Sequence, residues 1–287
     1  ASQGLAGAAA LSKSSATGVA ATTGLYGGEG SDEIRNAGKI DVGAKADVDS
    51  TNVAVGVTVA KEGLAGGAAL SDASALSAAT AKGIDGAEGD DLILNAGQIK
   101  ARAESRADTV SVTAIIAGTK TGLAGGAALS DSSALATSTA RGLEGAAGND
   151  RIVNEDLIEA KAESYADTTN VTVTIAGTMT GLAGGAALSD STSASVADAA
   201  GLSGGTGSDR IYNTGTVVSG AIADSDTTSV TVGLTVAKEG VAGGAALSDA
   251  SSSTVSAARG IDGGDGDDWM DNEGKIEAKA ESYADTV

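Results

Sequence analysis

Short runs of alternating apolar and polar residues recur along the chain. In residues 170–175, NVTVTI, the side chains of Val171, Val173 and Ile175 alternate with threonines. This alternation is typical of a β-strand with one buried face, and we expect the larger apolar side chains to point inward. The equivalent positions in the other copies of this run, for which we expect the same, are Val53, Val55, Val57, Val112, Ala114, Ile116, Val230, Val232 and Leu234.

The alternating run belongs to a repeat of 59 residues. The segment GLAGGAALSD begins at Gly63, Gly122 and Gly181, and close variants begin at Gly4 and Gly240. Because no insertion or deletion interrupts the period, we interpret residues 1–287 as a single continuous array of about five units. The last unit breaks off where another strand is expected, and we expect the chain to be a piece of a longer repetitive protein.

Each unit divides into three segments of about 20 residues that contain glycine-rich turns and short strands. Such segments predict an all-β parallel β-solenoid with about three coils per repeat, and a rod on the order of 70 Å long. The absence of proline agrees with this fold, because each N–H must bond to a neighbouring coil. The alternative is a unit with one helix, since the alanine-rich residues 68–82 have good helix propensity, although their Ser/Asp clusters favour turns.

Composition limits the chemistry that is available. The chain contains 43 glycines, no histidine and no cysteine, and its formal net charge is −20. Without histidine and cysteine there is no Ser-His-Asp triad, no Cys-His pair and no thiolate zinc site, and we predict that the protein is not an enzyme. The acidic charge argues against nucleic acid as a partner, and no apolar run of roughly 18 residues predicts membrane insertion. The oxygen-rich ligand set suits calcium.

Each unit carries one glycine-rich turn with an aspartate, followed by a short alternating run. In the fourth unit this segment is GGTGSDRIY, residues 204–212. It resembles the nonapeptide of RTX (haemolysin-type calcium-binding) repeats, G-G-x-G-x-D-x-U-x, in which U is a large apolar residue. The other copies are residues 27–35, 86–94, 145–153 and 263–271, and Ala87 and Ala146 replace the second glycine in two of them.

The RTX resemblance implies that calcium binds at these turns. In that family the carbonyl groups and the aspartate of the turn hold the ion, and the residues that follow form a strand of a parallel β-roll. Glycine permits the backbone conformations that such a turn needs. The residues that the resemblance assigns to calcium are Gly27, Gly30, Asp32, Gly86, Gly89, Asp91, Gly145, Gly148, Asp150, Gly204, Gly207, Asp209, Gly263, Gly266 and Asp268.

The array departs from RTX proteins in having one nonapeptide per unit, so that a second half of each site must come from another segment. Our candidate is the aspartate of ALSD, which coils of about 20 residues place beside the turn aspartate. These candidates are Asp72, Asp131, Asp190 and Asp249, with Lys13 in the first unit. A third recurring acidic position, which we expect in the same column as the turn aspartates, comprises Asp49, Asp108, Asp167, Asp226 and Asp285. The alternative is that these aspartates cap turns without a metal.

An asparagine also recurs with the same period. It occupies positions 36, 95, 154, 213 and 272, and in four units x-Gly-x-Ile/Val follows it. Segments of this kind loosely resemble coils of filamentous-haemagglutinin-type passenger domains, in which inward asparagines stack. We therefore predict a structural asparagine ladder.

A uniform array offers the same surface many times, whereas an enzyme needs one unique constellation. We expect an extracellular or cell-surface protein with a structural or adhesive role, a calcium-stabilised rod that forms a fibre or sheath by association with itself, with surface glycans or other cells as further partners. The alternatives are the stalk of a calcium-dependent adhesin, a carbohydrate-active β-helix that uses pairs such as Asp90 and Asp91, and an ice-binding solenoid that uses Thr172, Thr174 and Thr231.

Overall fold

The computed structural model describes residues 3–287, and nearly all of them lie in β-strands. Long strands of up to 50 residues alternate with strands of four residues. The long strands form a six-stranded sheet and the short strands a five-stranded sheet, and all pairs are parallel. The strands are β1 (Gln3–Glu29), β2 (Glu33–Asn36), β3 (Lys39–Glu88), β4 (Leu92–Asn95), β5 (Gln98–Ala147), β6 (Arg151–Asn154), β7 (Leu157–Thr206), β8 (Arg210–Asn213), β9 (Thr216–Asp265), β10 (Trp269–Asn272) and β11 (Lys275–Thr286). This confirms the prediction of an all-β parallel solenoid.

The register of the long strands shows that one repeat makes one coil. Every residue pairs with its equivalent 59 positions along the chain, so that Val53 pairs with Val112, and Val112 with Val171. The prediction of about three coils per repeat is therefore wrong. Only the 59-residue register places like residues on like residues, and the three 20-residue segments are successive parts of one coil. Five such layers rise on the order of 24 Å, instead of the expected 70 Å.

Each long strand bends and folds back on itself. Three hydrogen bonds within β7 run from Thr174 Oγ1 to Ala186 O, from Asn170 Nδ2 to Asp190 O and from Ser195 Oγ to Ser164 O, at 2.9, 2.9 and 2.6 Å. These pairs are nested around Gly181, which has a φ of 134° that glycine adopts readily. The strand thus has an outgoing arm before Gly181 and a return arm after it. The two arms face each other through side chains, while their backbones bond to neighbouring coils.

Small side chains fill the space between the two arms. The Ser77 hydroxyl donates across this space to the carbonyl oxygen of Ala46 at 2.9 Å, which leaves no room there for long aliphatic side chains. Thr172 and Thr174 are fully buried, whereas Val53 is 56% exposed. The predicted inward orientation of the valine positions is therefore wrong, because alanine and hydroxyl side chains occupy the interior. The positions that face outward instead are Val53, Val55, Val57, Val112, Ala114, Ile116, Val171, Val173, Ile175, Val230, Val232 and Leu234.

The larger buried side chains lie where the short strand closes the coil. Ile84 ends the return arm, Ile93 lies in β4 and Ile99 begins the next outgoing arm, and all three are fully buried in one cluster. The equivalent cluster residues of the following coils continue this column along the rod. The core is thus thick at this base and thin along the two arms.

The recurring asparagines stack into a ladder beside this base. The Nδ2 group of Asn95 donates to Oδ1 of Asn154, and that of Asn154 to Oδ1 of Asn213, both at 2.7 Å. Bonds of 2.7 and 2.6 Å continue the ladder to Asn36 and Asn272. The predicted asparagine ladder is confirmed.

The alanine-rich residues 68–82 lie in β3, so that the alternative of a helix-containing unit is wrong. Facing small residues across the arms favours an extended chain there, in spite of the helix propensity of alanine. Within residues 3–287, no helix is long and apolar enough to span a bilayer.

Replacing Ala146 by glycine should stabilise the chain. Ala87 and Ala146 have φ angles of 77° and 80°, a left-handed conformation that costs an alanine roughly 1–2 kcal/mol. We expect Ala146→Gly to raise the free energy of unfolding by about 1 kcal/mol, measured by urea denaturation. As a control, Ala78→Gly within the extended part of β3 should lower it by roughly 0.5–1 kcal/mol. Equal losses in both variants would contradict the left-handed conformation at Ala146.

Candidate metal centre

The aspartates of the glycine-rich turns form one column along the rod. Each carboxylate reaches to the preceding coil, where its Oδ1 accepts the backbone N–H of the equivalent aspartate. The bonds from Asp32 N to Asp91 Oδ1 and from Asp91 N to Asp150 Oδ1 are both 2.8 Å long. Those from Asp150 and Asp209 to the next aspartate are 2.7 and 2.9 Å. One oxygen of each carboxylate therefore caps a turn, as the alternative without a metal predicted.

The second oxygen of these carboxylates is left without a partner. Among the described residues, no hydrogen bond reaches Oδ2 of Asp32, Asp91, Asp150 or Asp209. In the inner coils these side chains are almost completely enclosed, with Asp91 2% and Asp150 1% exposed. A buried, unpartnered charge of this kind is costly, since the lost hydration is not replaced. Turn capping accounts for the Oδ1 atoms of these carboxylates but not for the buried Oδ2 atoms without a partner.

The first glycine of the turn makes room for this oxygen. A Cβ atom on Gly86 would stand 2.5 Å from Asp91 Oδ2 and 2.7 Å from the carbonyl oxygen of Gly145 in the next coil. Two negatively polarised oxygens thus converge on the place that a side chain would fill. Gly89, by contrast, is needed for its conformation, with a φ of 128°.

Burial shifts the titration of this column. It raises the pKa of Asp150 from 3.8 to about 6, with a further contribution from the charges of Asp209 and Asp91. Burial likewise raises the pKa of Asp91 and of Asp209. The column therefore favours a state in which a proton or another cation neutralises each carboxylate.

The ALSD aspartates form a separate column on the outer surface of the return arm. Asp72 pairs in register with Lys13 and Asp131, and an ion pair of 2.8 Å joins it to Lys13. The expected neighbourhood of Asp72 and Asp91 is wrong, because it assumed coils of about 20 residues. With one coil per repeat, 19 residues of mostly extended chain separate the two, a path on the order of 60 Å. The same separation applies to Asp131, Asp190 and Asp249 and their turns.

The third acidic position forms a column on the outgoing arm. Asp108 stacks between Asp49 and Asp167, and burial, followed by the charge of Asp167, raises its pKa to about 6. Its Oδ1 atom has no hydrogen-bond partner within the described part of the chain. The expectation that this column joins the turn aspartates is wrong, since the two lie on different parts of the coil.

The turn column has the donor chemistry of a site for a hard cation. Unpartnered carboxylate oxygens alternate with carbonyl oxygens of the first glycines, and calcium prefers such oxygens. Within residues 3–287 no three acidic side chains converge on a single point. A cation in this column would therefore depend on backbone carbonyls as well as on carboxylates. The first glycine and the aspartate of each turn lie close together, whereas the ALSD aspartates lie on another part of the coil.

The sequence interpretation missed an exposed apolar surface on the return arm. Leu70, Leu129 and Leu188 are between 40 and 43% exposed and stack along the rod. Together with the ALSD aspartates they line a groove of about 760 Å³. The available signal was the strict repetition of GLAGGAALSD, whose alternate residues point outward.

No family model matches the chain, and neither a curated protein nor a solved structure shows significant similarity to it.

The chain should lose stability as pH rises in metal-free buffer. Because the pKa of folded Asp150, about 6, exceeds its ordinary value of 3.8, the native state binds this proton more tightly than the unfolded state. The contribution of Asp150 to the free energy of unfolding is therefore greatest below about pH 4, and it is lost as pH rises from about 4 to about 6. Thermal melts in the presence of a chelator measure this.

The matched control is Asp150→Asn, which keeps the capping oxygen and removes the charge. At pH 7 we expect its melting temperature to exceed that of the parent chain, and the difference to vanish near pH 4. A difference that does not change with pH would contradict the perturbed titration of Asp150.

Proposed function

We propose that the protein is a structural component of an extracellular fibre or sheath, which associates with itself and which calcium stabilises. The observation that carries this proposal is the in-register stacking of identical coils. Each coil presents a row of N–H and C=O groups on both of its edges, and the next coil satisfies one row. Such a design grows along one axis without any change of contacts.

End-to-end association follows from the same geometry. Wherever an array of these units ends, its last coil carries unpaired backbone groups along both arms, and such an edge binds a further strand. A second array adds at the same 59-residue register, because each coil edge is nearly identical to the one below it. The Asn213–Asn272 bond shows how each added coil extends the amide ladder.

Bound calcium would offset the electrostatic repulsion between the stacked turn aspartates. Like charges about 5 Å apart repel by roughly 3 kcal/mol at an effective dielectric near 20. Asp91, Asp150 and Asp209 would hold the ion through their free oxygens, together with the carbonyl groups of the first glycines. When bound, calcium supplies positive charge that cancels repulsion within the column. It performs no chemical reaction in this proposal.

The extracellular location and the adhesive role rest on composition and on the RTX resemblance of the turns. An acidic, cysteine-free, oxygen-rich chain suits a calcium-rich environment outside the cell. The stalk of a calcium-dependent adhesin remains the second candidate, and it differs in lacking self-assembly. Neither an ice-binding surface nor a glycan-cleaving pair is favoured, because Thr172, Thr174 and Asp91 are buried.

Assembly should depend on calcium. We expect light scattering and negative-stain electron microscopy to show rods that lengthen in millimolar calcium and shorten after addition of a chelator. The control is a variant with Asp91→Asn, Asp150→Asn and Asp209→Asn, which should form rods with a weaker dependence on calcium, because three of the five charges of the turn column are removed. A chain that stays monomeric with and without calcium would contradict the fibre proposal and favour the stalk of a calcium-dependent adhesin.

A further inference from the structure

The outward side of the return arm carries an apolar strip that is framed by leucines. In the second unit it consists of Leu64, Gly66, Ala68 and Leu70, whose side chains alternate with the inward residues of GLAGGAALSD. Leu64 is 48% and Leu70 43% exposed. Because coils stack in register, these positions continue along the rod as two leucine columns with a column of glycine and a column of alanine between them. We call this surface the leucine-framed strip.

The residue types of the strip are repeated strictly from unit to unit, although these side chains do not pack in the interior of the rod. The glycine, alanine and second leucine columns are almost unchanged in all units, although they face outward. Beyond the ALSD aspartates, an outward column varies from coil to coil and consists of Thr17, Leu76, Leu135, Ala194 and Ser253. The backbone register within the rod is the same at both places. A constraint from outside the rod therefore acts on the strip and not on the later column.

The strip has the shape of two ridges with a shallow trough between them. The glycine and alanine columns have no side chain or a single methyl group, whereas the leucine columns stand higher. Within each ridge the leucines recur with the spacing of one coil, about 4.8 Å along the rod. Another copy of the same strip has the same spacing, and its leucine columns meet those of the first copy when the two strips face each other.

The area of the strip suffices for a stable pair. Seven residues of extended chain, from Leu64 to Leu70, over five coils cover roughly 550 Å² per copy, hence about 1,100 Å² in total, which exceeds the roughly 1,000 Å² expected of a biological interface. Exposed apolar patches of this size on monomeric proteins commonly mark interaction sites. A longer array would enlarge the contact in proportion to its number of coils.

Charge selects the relative orientation of the two copies. Asp72 and its equivalents border the strip on one side. Lys61, Lys120 and Lys238 lie exposed at the bend on the other side, where Glu62 and Glu239 follow two of them, so that this side is much less negative. A half-turn about the rod axis brings the aspartate column of each copy towards the bend of the other. This orientation avoids contact between two aspartate columns and keeps the rods parallel.

We propose that two copies of this chain pair side by side through the leucine-framed strip. The pairing specifies the self-association proposed above, but it uses a surface that end-to-end growth leaves free. A rod that grows from such pairs has twice the mass per unit length of a single solenoid.

Sedimentation equilibrium of the full chain tests the pairing before any rods form, in chelator at micromolar concentration. We expect a dimer, and we expect Leu129→Ser with Leu188→Ser to reduce the association constant at least tenfold. The matched control is Leu76→Ser with Leu135→Ser, because Leu135 is 40% exposed, as is Leu129, but lies outside the strip. Circular dichroism checks that both variants fold.

Three results separate this pairing from other possibilities. A monomeric parent chain at 100-fold higher concentration would overturn it, and so would equal weakening by both variants. Lower melting temperature with unchanged association in the Leu129/Leu188 variant would show that the leucines only stack within the rod. If rods form, scanning transmission microscopy should show that rods of the Leu129/Leu188 variant have half the mass per unit length of the parent rods. If the fibre proposal fails and no rods form, the dimer is still expected in sedimentation equilibrium.

Discussion

Backbone hydrogen bonding between identical coils is the constraint on which the rest of the structure depends. Since each residue lies on its own equivalent 59 positions away, every property of a side chain is repeated in a column. Amides gain from this arrangement, because each asparagine both donates and accepts within its ladder. Leucines gain by packing on leucines. Stacked carboxylates, by contrast, repel one another, and the same register produces three columns of aspartate.

The thin interior is a second consequence. Two arms that are joined through serine, threonine and asparagine leave little space for large aliphatic side chains, most of which face outward or gather at the base around Ile93. Ile115 is buried between the arms, where Gly56 and Gly126 leave room for it. Burial of apolar area per residue is accordingly small. Stability must then come largely from the continuous backbone pairing and from the columns of side chains.

Some of this could be predicted from the sequence. The fixed period, the lack of proline and the alternating runs predicted the all-β solenoid, and the recurring asparagine predicted its ladder. Alternation alone shows which residues share a face but not which face is inside, so the valines around Val171 were assigned to the wrong side. Hydrophobicity favoured the valines, whereas the inward positions of this run are mostly small or polar residues such as Thr172 and Thr174.

The number of coils per repeat could not be predicted either, because the segments that begin at Gly122 and Gly142 start alike and have similar lengths. Because of this error, Asp72 was wrongly predicted to lie beside Asp91. The turn itself was predicted better, since the second and third glycines of the motif, such as Gly205 and Gly207, have positive φ. The unpartnered oxygen of Asp150 has no signature in sequence, because it depends on burial by the next coil.

Cysteine cross-linking tests the one-coil register most directly, and the chain has no cysteine of its own. Ser74 and Ser133 are register partners on the outer surface of adjacent coils. In a chain with both residues replaced by cysteine, mild oxidation should give a rapid intramolecular disulfide, because the Cα atoms are about 5 Å apart. Three coils per repeat would separate them by about 14 Å. The absence of a cross-link at this pair, together with efficient cross-linking between Ser74→Cys and Leu94→Cys, would contradict the register.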